Sequence, residues 1–285
     1  MSEVNFKNLL STGAHFGHVT RKWHPSYAPY ILMERNGVHI INLEETLSGL
    51  KKAQDSLSKI VKKNGEVLFV GTKKQAKDIV QQEADRCGMF YVVERWLGGT
   101  LTNYSTIKKS IKRLQLLEKE GSSIYQDLTK KEIQMLNRER VKLADQHRGI
   151  KDMRRVPDVI IVVDANFEST AVQEAIRLEI PVIAIVDSNT DPSIVSHVIP
   201  ANDDSIRTIQ LILSALTDAI LSAQVKDVDK QSDKAKDDES SKKNDHLNLD
   251  KPDNELSSDD KNEVSEDKNT SDKIDKNKGK VETDK

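Results

Sequence analysis

Runs of consecutive valine and isoleucine are the feature that most constrains the fold of this chain. Two of them, Val159–Val163 and Val182–Val186, contain no polar residue. Because a strand with one wet face would alternate apolar and polar residues, these unbroken runs predict strands buried on both faces of a parallel sheet. Both are far shorter than the roughly 20 residues of a membrane-spanning helix. We therefore expect an α/β protein without a membrane partner.

Further strands and the helices between them complete a layered pattern. Shorter apolar runs predict strands at 38–41, 67–70, 89–93 and 198–199, and helices are expected between them, over 169–178 and over 205–223. Asn42 with Glu45 and Thr72 with Gln75 have the spacing of capping boxes at helix starts. Alternating strands and helices predict a three-layer α/β/α sandwich with right-handed crossovers.

One connection is too long for a single crossover helix. The segment 101–156 carries apolar residues at helical spacing in two stretches, and Thr129 with Glu132 has the capping-box spacing for the second. The apolar stripe is narrow, because Arg140 and His147 interrupt it. This pattern favours an antiparallel coiled-coil hairpin projecting from the domain, with its turn at 121–127.

Charge is distributed unevenly along the chain. The net charge of −2 hides a segment, 101–156, with 14 Lys+Arg and seven Asp+Glu. The last segment, 225–285, contains 14 Lys, 19 Asp+Glu and no aromatic residue, a composition typical of disorder. We therefore predict an α/β domain over 1–100 and 157–224, an inserted hairpin over 101–156, and a disordered tail over 225–285. A basic element on a nearly neutral domain is typical of a protein that contacts polyphosphate.

Candidate chemistry at the strand ends suggests an enzyme as the alternative. Asp164 and Asp187 each follow an apolar run, where two carboxylates could hold Mg²⁺ for a phosphohydrolase. No nucleophile or basic partner completes that site, and Asp is common in turns such as 187–192. The favoured prediction is a protein that is not an enzyme, has no cofactor and uses no small-molecule substrate.

Histidines near the N-terminus give a second, weaker candidate. His15, His18 and His24 could bind a metal, but a structural zinc site needs four ligands and the single cysteine, Cys87, lies far along the chain. We predict no metal site. One cysteine also permits no internal disulfide, which fits a cytoplasmic protein.

Two loops combine cations with aromatic rings. In 21–27, Arg21, Lys22, Trp23 and His24 could pair phosphates while a ring stacks on a base, or Trp23 and Tyr27 could pack inward. In 95–103, Trp96 is expected to anchor the base of the hairpin, beside two adjacent glycines.

At this point the residues resemble a known family, the bacterial-type second protein of the small ribosomal subunit. The matching segments are LLSTGAHFGH at 9–18, RWLGGTLTN at 95–103, PDVIIVVD at 157–164, IPVIAIVDSN at 180–189 and IPANDD at 199–204. They follow the family order across 1–224, and Glu179 is a small departure from the family pattern.

The resemblance implies a flavodoxin-like parallel sheet with a coiled-coil hairpin and no enzymatic activity. It also implies a position on the solvent side of the small subunit, contact with 16S-type ribosomal RNA, late assembly, and help in recruiting the large, multi-OB-fold first protein that captures messenger RNA. A free-standing RNA chaperone is a further alternative.

We expect the basic hairpin, its root and the 21–24 loop to dock on the RNA through phosphate contacts. The candidate RNA-binding residues are Arg21, Lys22, Trp23, His24, Arg95, Lys108, Lys109, Lys112, Arg113, Arg138, Lys142, Arg148, Lys151, Arg154 and Arg155.

Overall fold

A computed structural model describes residues 4–119 and 128–244 of the chain, with side chains up to Val225. The helices are α1 Phe6–Thr12, α2 Leu43–Val61, α3 Lys77–Cys87, α4 Tyr104–Glu118, α5 Lys130–His147, α6 Ser169–Arg177 and α7 Ile206–Asn244. The strands are β1 Phe16–Val19, β2 Ile31–Arg35, β3 Val38–Ile41, β4 Val67–Val70, β5 Phe90–Val92, β6 Val159–Val163, β7 Val182–Val186 and β8 His197–Pro200.

The central sheet has five parallel strands in the order β5-β4-β6-β7-β8. Numbered along the chain within this sheet, the order is 2-1-3-4-5, the flavodoxin-like arrangement of a doubly wound fold. Alternate residues of each strand point to opposite faces. Phe69 and Ile161 lie in a core formed with α2, α3 and α7, whereas Leu68 and Ile160 lie in a second core formed with α4 and α6. The predicted three-layer fold is confirmed.

The run at 38–41 belongs to a different sheet from the one expected. β3 pairs antiparallel with both β1 and β2 in a separate three-stranded sheet. Its burial alternates, with His39 and Ile41 buried and Val38 and Ile40 partly exposed. Such alternation is typical of an antiparallel strand with one face toward solvent.

Local signals for helix ends were partly right. Gly88 ends α3 in the left-handed conformation, and Thr129 forms the predicted capping box with Glu132 at the start of α5. The Thr72–Gln75 capping box is wrong, because α3 begins at Lys77 and the Thr72 hydroxyl instead donates to Glu168. Asn42 does cap α2, accepting from the backbone N–H of Glu44.

The two basic helices contact each other, but α4 also belongs to the sheet core. The Ser110 hydroxyl lies 2.8 Å from His147 Nε2, and Arg113 lies 3.2 Å from Glu139. These pairs advance along α4 while they go back along α5, as in antiparallel helices. Ile107 and Ile111 pack in the core with the sheet and α6, so a freely projecting coiled coil is not confirmed. The predicted turn at 121–127 lies outside the described residues.

Helix α7 covers the sheet with its first half. Ile209, Ile212, Leu213 and Leu216 are fully buried in the core with α2 and α3. The segment Ile206–Val225 is long and apolar enough to cross a membrane, but this burial is that of a core helix. The backbone stays helical to Asn244, past the predicted end, since no glycine or proline occurs in 206–244. The rest of the predicted disordered tail, 245–285, lies outside the described residues.

The predicted division into an α/β domain (1–100 and 157–224), a hairpin (101–156) and a tail (225–285) stays a prediction. Residues 1–236 form one compact unit, and a second begins at Asp237.

Candidate nucleic-acid interface

The crevice at the carboxyl end of the sheet is the usual ligand site in a doubly wound fold, and here an ion-pair cluster fills it. It lies between β4 and β6, where the strand order reverses. Lys73 Nζ, just after β4, lies 2.6 Å from Asp164 and 3.0 Å from Asp203. Asp204 lies 3.1 Å from the same Nζ, so three carboxylates hold the lysine inside the crevice and the protein's own charges occupy it.

Burial and neighbouring negative charge perturb this cluster. The pKa of the fully buried Asp203 carboxyl is raised to about 7, because desolvation and the negative charges of Asp164 and Asp187 together outweigh the opposing effect of Lys73. The pKa of Lys73 is also raised, because its partners Asp164 and Asp203 outweigh the effect of burial.

The two carboxylates of the enzyme alternative serve local structure instead. Asp164 accepts hydrogen bonds of 3.0 Å from the backbone N–H groups of Asn166 and Phe167, in addition to its pairing with Lys73. Asp187 pairs with His18 at 3.0 Å and accepts from the backbone of Ser188. These are the turn-forming roles that Asp commonly takes at strand ends.

The three candidate histidines do not form one metal site. Among the described residues, the group whose geometry could hold a cation contains His18, Asp203 and Asp204, without His15 or His24. The ring centroid of His15 lies 4.0 Å from that of Phe16, with the two rings tilted by 39°, and His24 Nδ1 accepts from the backbone N–H of Ser26. Pairing with Asp187 raises the pKa of His18, although burial opposes the shift, so His18 is favoured as a cation beside that carboxylate.

The base of the basic helices is fixed by one buried carboxylate, that of Glu174 on α6. Its two oxygens accept from Trp96 Nε1 at 3.0 Å and from the backbone N–H groups of Gly99, Leu101 and Thr102 at 2.8, 3.0 and 3.1 Å. The Thr102 hydroxyl adds a bond of 3.1 Å. The loop that precedes α4 is therefore folded around a residue more than 70 positions away.

An open groove of about 630 Å³ lies between α5 and the end of β5. Arg95, Arg138 and Lys142 line it together, and all three side chains are exposed. Arg138, Val141 and Lys142 are three and four residues apart, a spacing that places them on one face of a helix. The structure thus brings together three predicted RNA-binding residues from two distant segments.

Four other predicted RNA-binding residues have partners within the protein. Arg113 pairs with Glu139, and Lys151 pairs with Glu118. Arg155 bonds Asp158 at 3.0 Å, and Arg148 donates to Gln81 at 3.3 Å. Lys108, Lys109, Lys112 and Arg154 are exposed on or beside α4.

The loop at 21–27 shows both of the predicted alternatives, exposed cations and a ring that packs inward. Arg21 and Lys22 are exposed in a short helical turn, and Trp23 is 38% exposed with its ring 5.2 Å from that of His39. Tyr27 packs inward, fully buried, and its hydroxyl donates to the carbonyl of Val186.

The sequence did not reveal two glutamates that hold loops in place, Glu174 under the loop before α4 and Glu168 beside Thr72 after β4. Glu174 lies in the predicted helix over 169–178 and Glu168 directly precedes it, and both look like solvated charges in the sequence. Glu174 does follow the apolar residue Ala171 by three positions, which places the two on one side of α6, and that placement was the signal available.

Comparison with known proteins identifies the family. A family model described as ribosomal protein S2 matches residues 9–223. The small ribosomal subunit protein uS2 of Chloroherpeton thalassium is 49% identical over 236 residues, which are 82% of this chain and 94% of that protein. The family is structural and non-enzymatic, which excludes the phosphohydrolase. The chain therefore belongs to the ribosomal protein S2 family and is a structural constituent of the small ribosomal subunit, acting in translation.

Proposed function

We propose that the chain is held in the small subunit by 16S-type ribosomal RNA bound along its basic helices, in the cytoplasm. The observation that carries this proposal is the α5 groove, in which Arg95, Arg138 and Lys142 line one open surface. Cations that neutralise phosphates release counterions, and this release dominates the affinity for nucleic acid. RNA helices are recognised mainly by shape and backbone, and the three cations of this groove, which Glu94 and Asp145 also line, would contact that backbone.

The rigid mounting of the helices supports the same proposal. Glu174 fixes the loop before α4, and Ile107 and Ile111 pack α4 on the sheet. Because the backbone that carries the cations is already ordered, binding a folded RNA orders their side chains but not that backbone. Arg21 and Lys22 would extend this surface from another part of the domain.

The test is binding of the full chain to purified 16S-type ribosomal RNA across a salt titration. The double variant Arg138→Gln/Lys142→Gln should flatten the dependence of log affinity on log salt by about 1–2, since each phosphate contact contributes about 0.7–0.9. The matched control is Lys59→Gln/Lys63→Gln, two exposed lysines at the same four-residue spacing near the end of α2. Equal slopes for the two variants would remove the α5 groove from the interface.

A second part of the proposal concerns protein neighbours. Phe16, Ile40 and Met33 pair in one row across the small antiparallel sheet, and Phe16 and Met33 are 50% and 54% exposed. A row of large apolar side chains open to solvent is typical of a docking surface. We assign it to the large, multi-OB-fold first protein of the subunit, which captures messenger RNA.

Subunits carrying Phe16→Ser/Met33→Ser should lose that protein on gradient purification while keeping the variant chain. Leu116→Ser, which truncates an exposed apolar side chain on α4, is the control. Retention of the first protein at normal occupancy would refute this assignment.

A further inference from the structure

Two Asn-Gly pairs occur in the chain, at 36–37 and 64–65, and the fold gives them different surroundings. At such a pair the backbone nitrogen of the glycine can attack the asparagine side chain, because glycine has no side chain to shield that nitrogen. The first pair forms the turn between β2 and β3, where Arg35 pairs with Val38. The second lies just after the end of α2. Both asparagines are exposed, with positive φ angles of 54° and 56°.

The peptide unit between Asn36 and Gly37 is free to rotate. No hydrogen bond among the described residues engages the carbonyl of Asn36 or the N–H of Gly37. A Cβ built on Gly37 would meet no atom within 4 Å, so the space around this residue is open. The turn is tied to the chain before it through the other carbonyl, that of Gly37, which accepts from the Thr20 N–H at 3.0 Å.

Rotation of that peptide unit brings the reacting atoms together. With a positive φ at both of its central residues, the turn is of type I′. Flipping its central peptide gives a type II′ turn, with a ψ of about −120° at Asn36 and a negative φ at Gly37, which glycine adopts freely. At that ψ the Gly37 nitrogen lies on the same side as the Asn36 side chain, within reach of its amide carbon.

The peptide unit between Asn64 and Gly65 cannot rotate without losing contacts on both sides. The Gly65 N–H donates to the Ile60 carbonyl at 3.1 Å, and the Asn64 carbonyl accepts from Arg155 at 3.1 Å. A Cβ on Gly65 would lie 2.4 Å from the Ile60 side chain, so the chain is tightly packed there. The two pairs therefore share a sequence and a positive φ but differ in the hydrogen bonding of the peptide that must move.

We propose that Asn36 is a site of spontaneous modification to isoaspartate, from which the fold protects Asn64. The Gly37 nitrogen loses its proton to solvent and bonds to the side-chain carbonyl carbon of Asn36. The C–N bond of the side-chain amide breaks, and its nitrogen leaves as ammonia after taking up a proton from water. Water then opens the succinimide ring: attack at the backbone carbonyl leaves isoaspartate, and attack at the side-chain carbonyl leaves aspartate.

Isoaspartate changes both the length and the charge of the turn. It adds one methylene to the backbone between Arg35 and Val38, so a two-residue turn no longer matches the pairing of β2 with β3. It also places a carboxylate at the turn that contacts Thr20, where the short helical segment with Arg21 and Lys22 begins. An isoaspartyl carboxylate in an open turn is accessible to enzymes that methylate such groups. This modification does not depend on RNA binding.

The experiment follows both pairs in the same sample. Full-length chain is kept for weeks at mildly alkaline pH, either native or unfolded in guanidinium chloride, and deamidation of each pair is measured by peptide mass spectrometry. In the native protein Asn36 should react at least about tenfold faster than Asn64, because two hydrogen bonds oppose the required rotation at Asn64. In the unfolded chain the two rates should be similar. Isoaspartate is detected as transfer of a labelled methyl group from S-adenosylmethionine by an isoaspartyl methyltransferase.

Asn36→Gln is the control variant, because the same attack on glutamine needs a larger ring and should be far slower. Methyl transfer to the peptide that contains residue 36 should then be lost. Equal rates for Asn36 and Asn64 in the native protein would overturn the inference, and so would a native chain in which neither reacts. Deamidation of Asn36 without methyl transfer would indicate direct hydrolysis to aspartate and overturn the succinimide route. None of these outcomes bears on the proposed function, which has its own test.

Discussion

Replacing Glu174 with glutamine tests how far the base of the basic helices depends on a single side chain. In the native protein the two carboxylate oxygens accept five hydrogen bonds, and Glu174 is only 9% exposed. Glutamine has the same shape but offers one acceptor oxygen and one NH₂ donor. Oε1 serves Trp96 and Gly99, whereas Oε2 serves Leu101 and Thr102. Whichever way the amide turns, one of these pairs faces another donor.

The expected cost follows from those orphaned donors. A buried donor left without a partner costs about 1–3 kcal/mol, and two or three are affected, so we expect Glu174→Gln to lower the free energy of unfolding by about 3–5 kcal/mol. For a domain of this size that is a fall in Tm of about 10 °C. Glu179→Gln is the control, because Glu179 is exposed just after α6, and this substitution should change the stability by less than about 0.5 kcal/mol.

The pH dependence gives an independent check. Burial alone would raise the pKa of Glu174, but the hydrogen bonds from Trp96 and from the backbone outweigh it and leave the pKa lowered. A carboxyl with a lowered folded-state pKa stabilises the fold above its unfolded pKa and loses that contribution as pH falls through the folded value. The difference in Tm between the parent chain and Glu174→Gln should therefore be full at pH 7 and shrink below about pH 4.

The assay is thermal unfolding followed by far-UV circular dichroism, with fluorescence of Trp96 reporting the loop in a Trp23→Phe background. Equal Tm values for Glu174→Gln and Glu179→Gln at pH 7 would refute the view that one carboxylate organises this loop. If the difference in Tm between the parent chain and Glu174→Gln stayed constant down to pH 3, the view that Glu174 is ionised in the folded protein would be refuted.

Three further predictions follow from particular buried groups. Because the pKa of Asp203 is raised to about 7, ionisation of its carboxyl destabilises the fold, and stability should fall as pH rises from about 4 to 7. In a pH series of thermal melts, Asp203→Asn should remove much of that fall. Burial raises the pKa of the Cys87 thiol to about 11, so native protein should resist iodoacetamide at pH 8 while urea-unfolded protein reacts, as mass spectrometry would show. A Cβ at Gly149 would clash with the carbonyl and ring of Tyr91, so Gly149→Ala should lower the free energy of unfolding by about 1–3 kcal/mol in urea titrations. Gly37→Ala is the control: its added Cβ meets no atom within 4 Å, so only the positive φ of 73° opposes the substitution and the destabilisation should be smaller.

Short-range patterns in the sequence were sufficient for the main architecture. Both faces of an unbroken apolar run such as Val159–Val163 must be covered, which a sheet between two helical layers does. The order of apolar residues along the chain therefore predicts the parallel sheet and its covering helices. The capping box at Thr129 depends only on residues within one turn, and it was predicted for that reason. The strand at 38–41 was assigned to the wrong sheet because a run of four residues does not reveal its partners.

The surface charges were predictable as a set but not as individuals. A net charge of +7 over 101–156 marks the basic segment in any conformation. Which cations stay available depends on acidic residues brought close by folding. Arg113 meets Glu139 across two helices, and Arg155 meets Glu66 at 3.6 Å from a distant part of the chain. The sequence could not separate these from Lys108 and Lys142, because an ion pair depends on distance in space.

What the sequence determined by itself is the α/β layering, the family and the basic character of one insertion, since these arise from periodicity, order and local charge. The tertiary structure alone decided the rest. It placed Glu174 under the loop at 96–102, put Lys73 between Asp164 and Asp203, and gathered Arg95 with Arg138. Hydrogen bonds and ion pairs act over about 3 Å, so residues that are far apart along the chain gain these roles only when the fold brings them together.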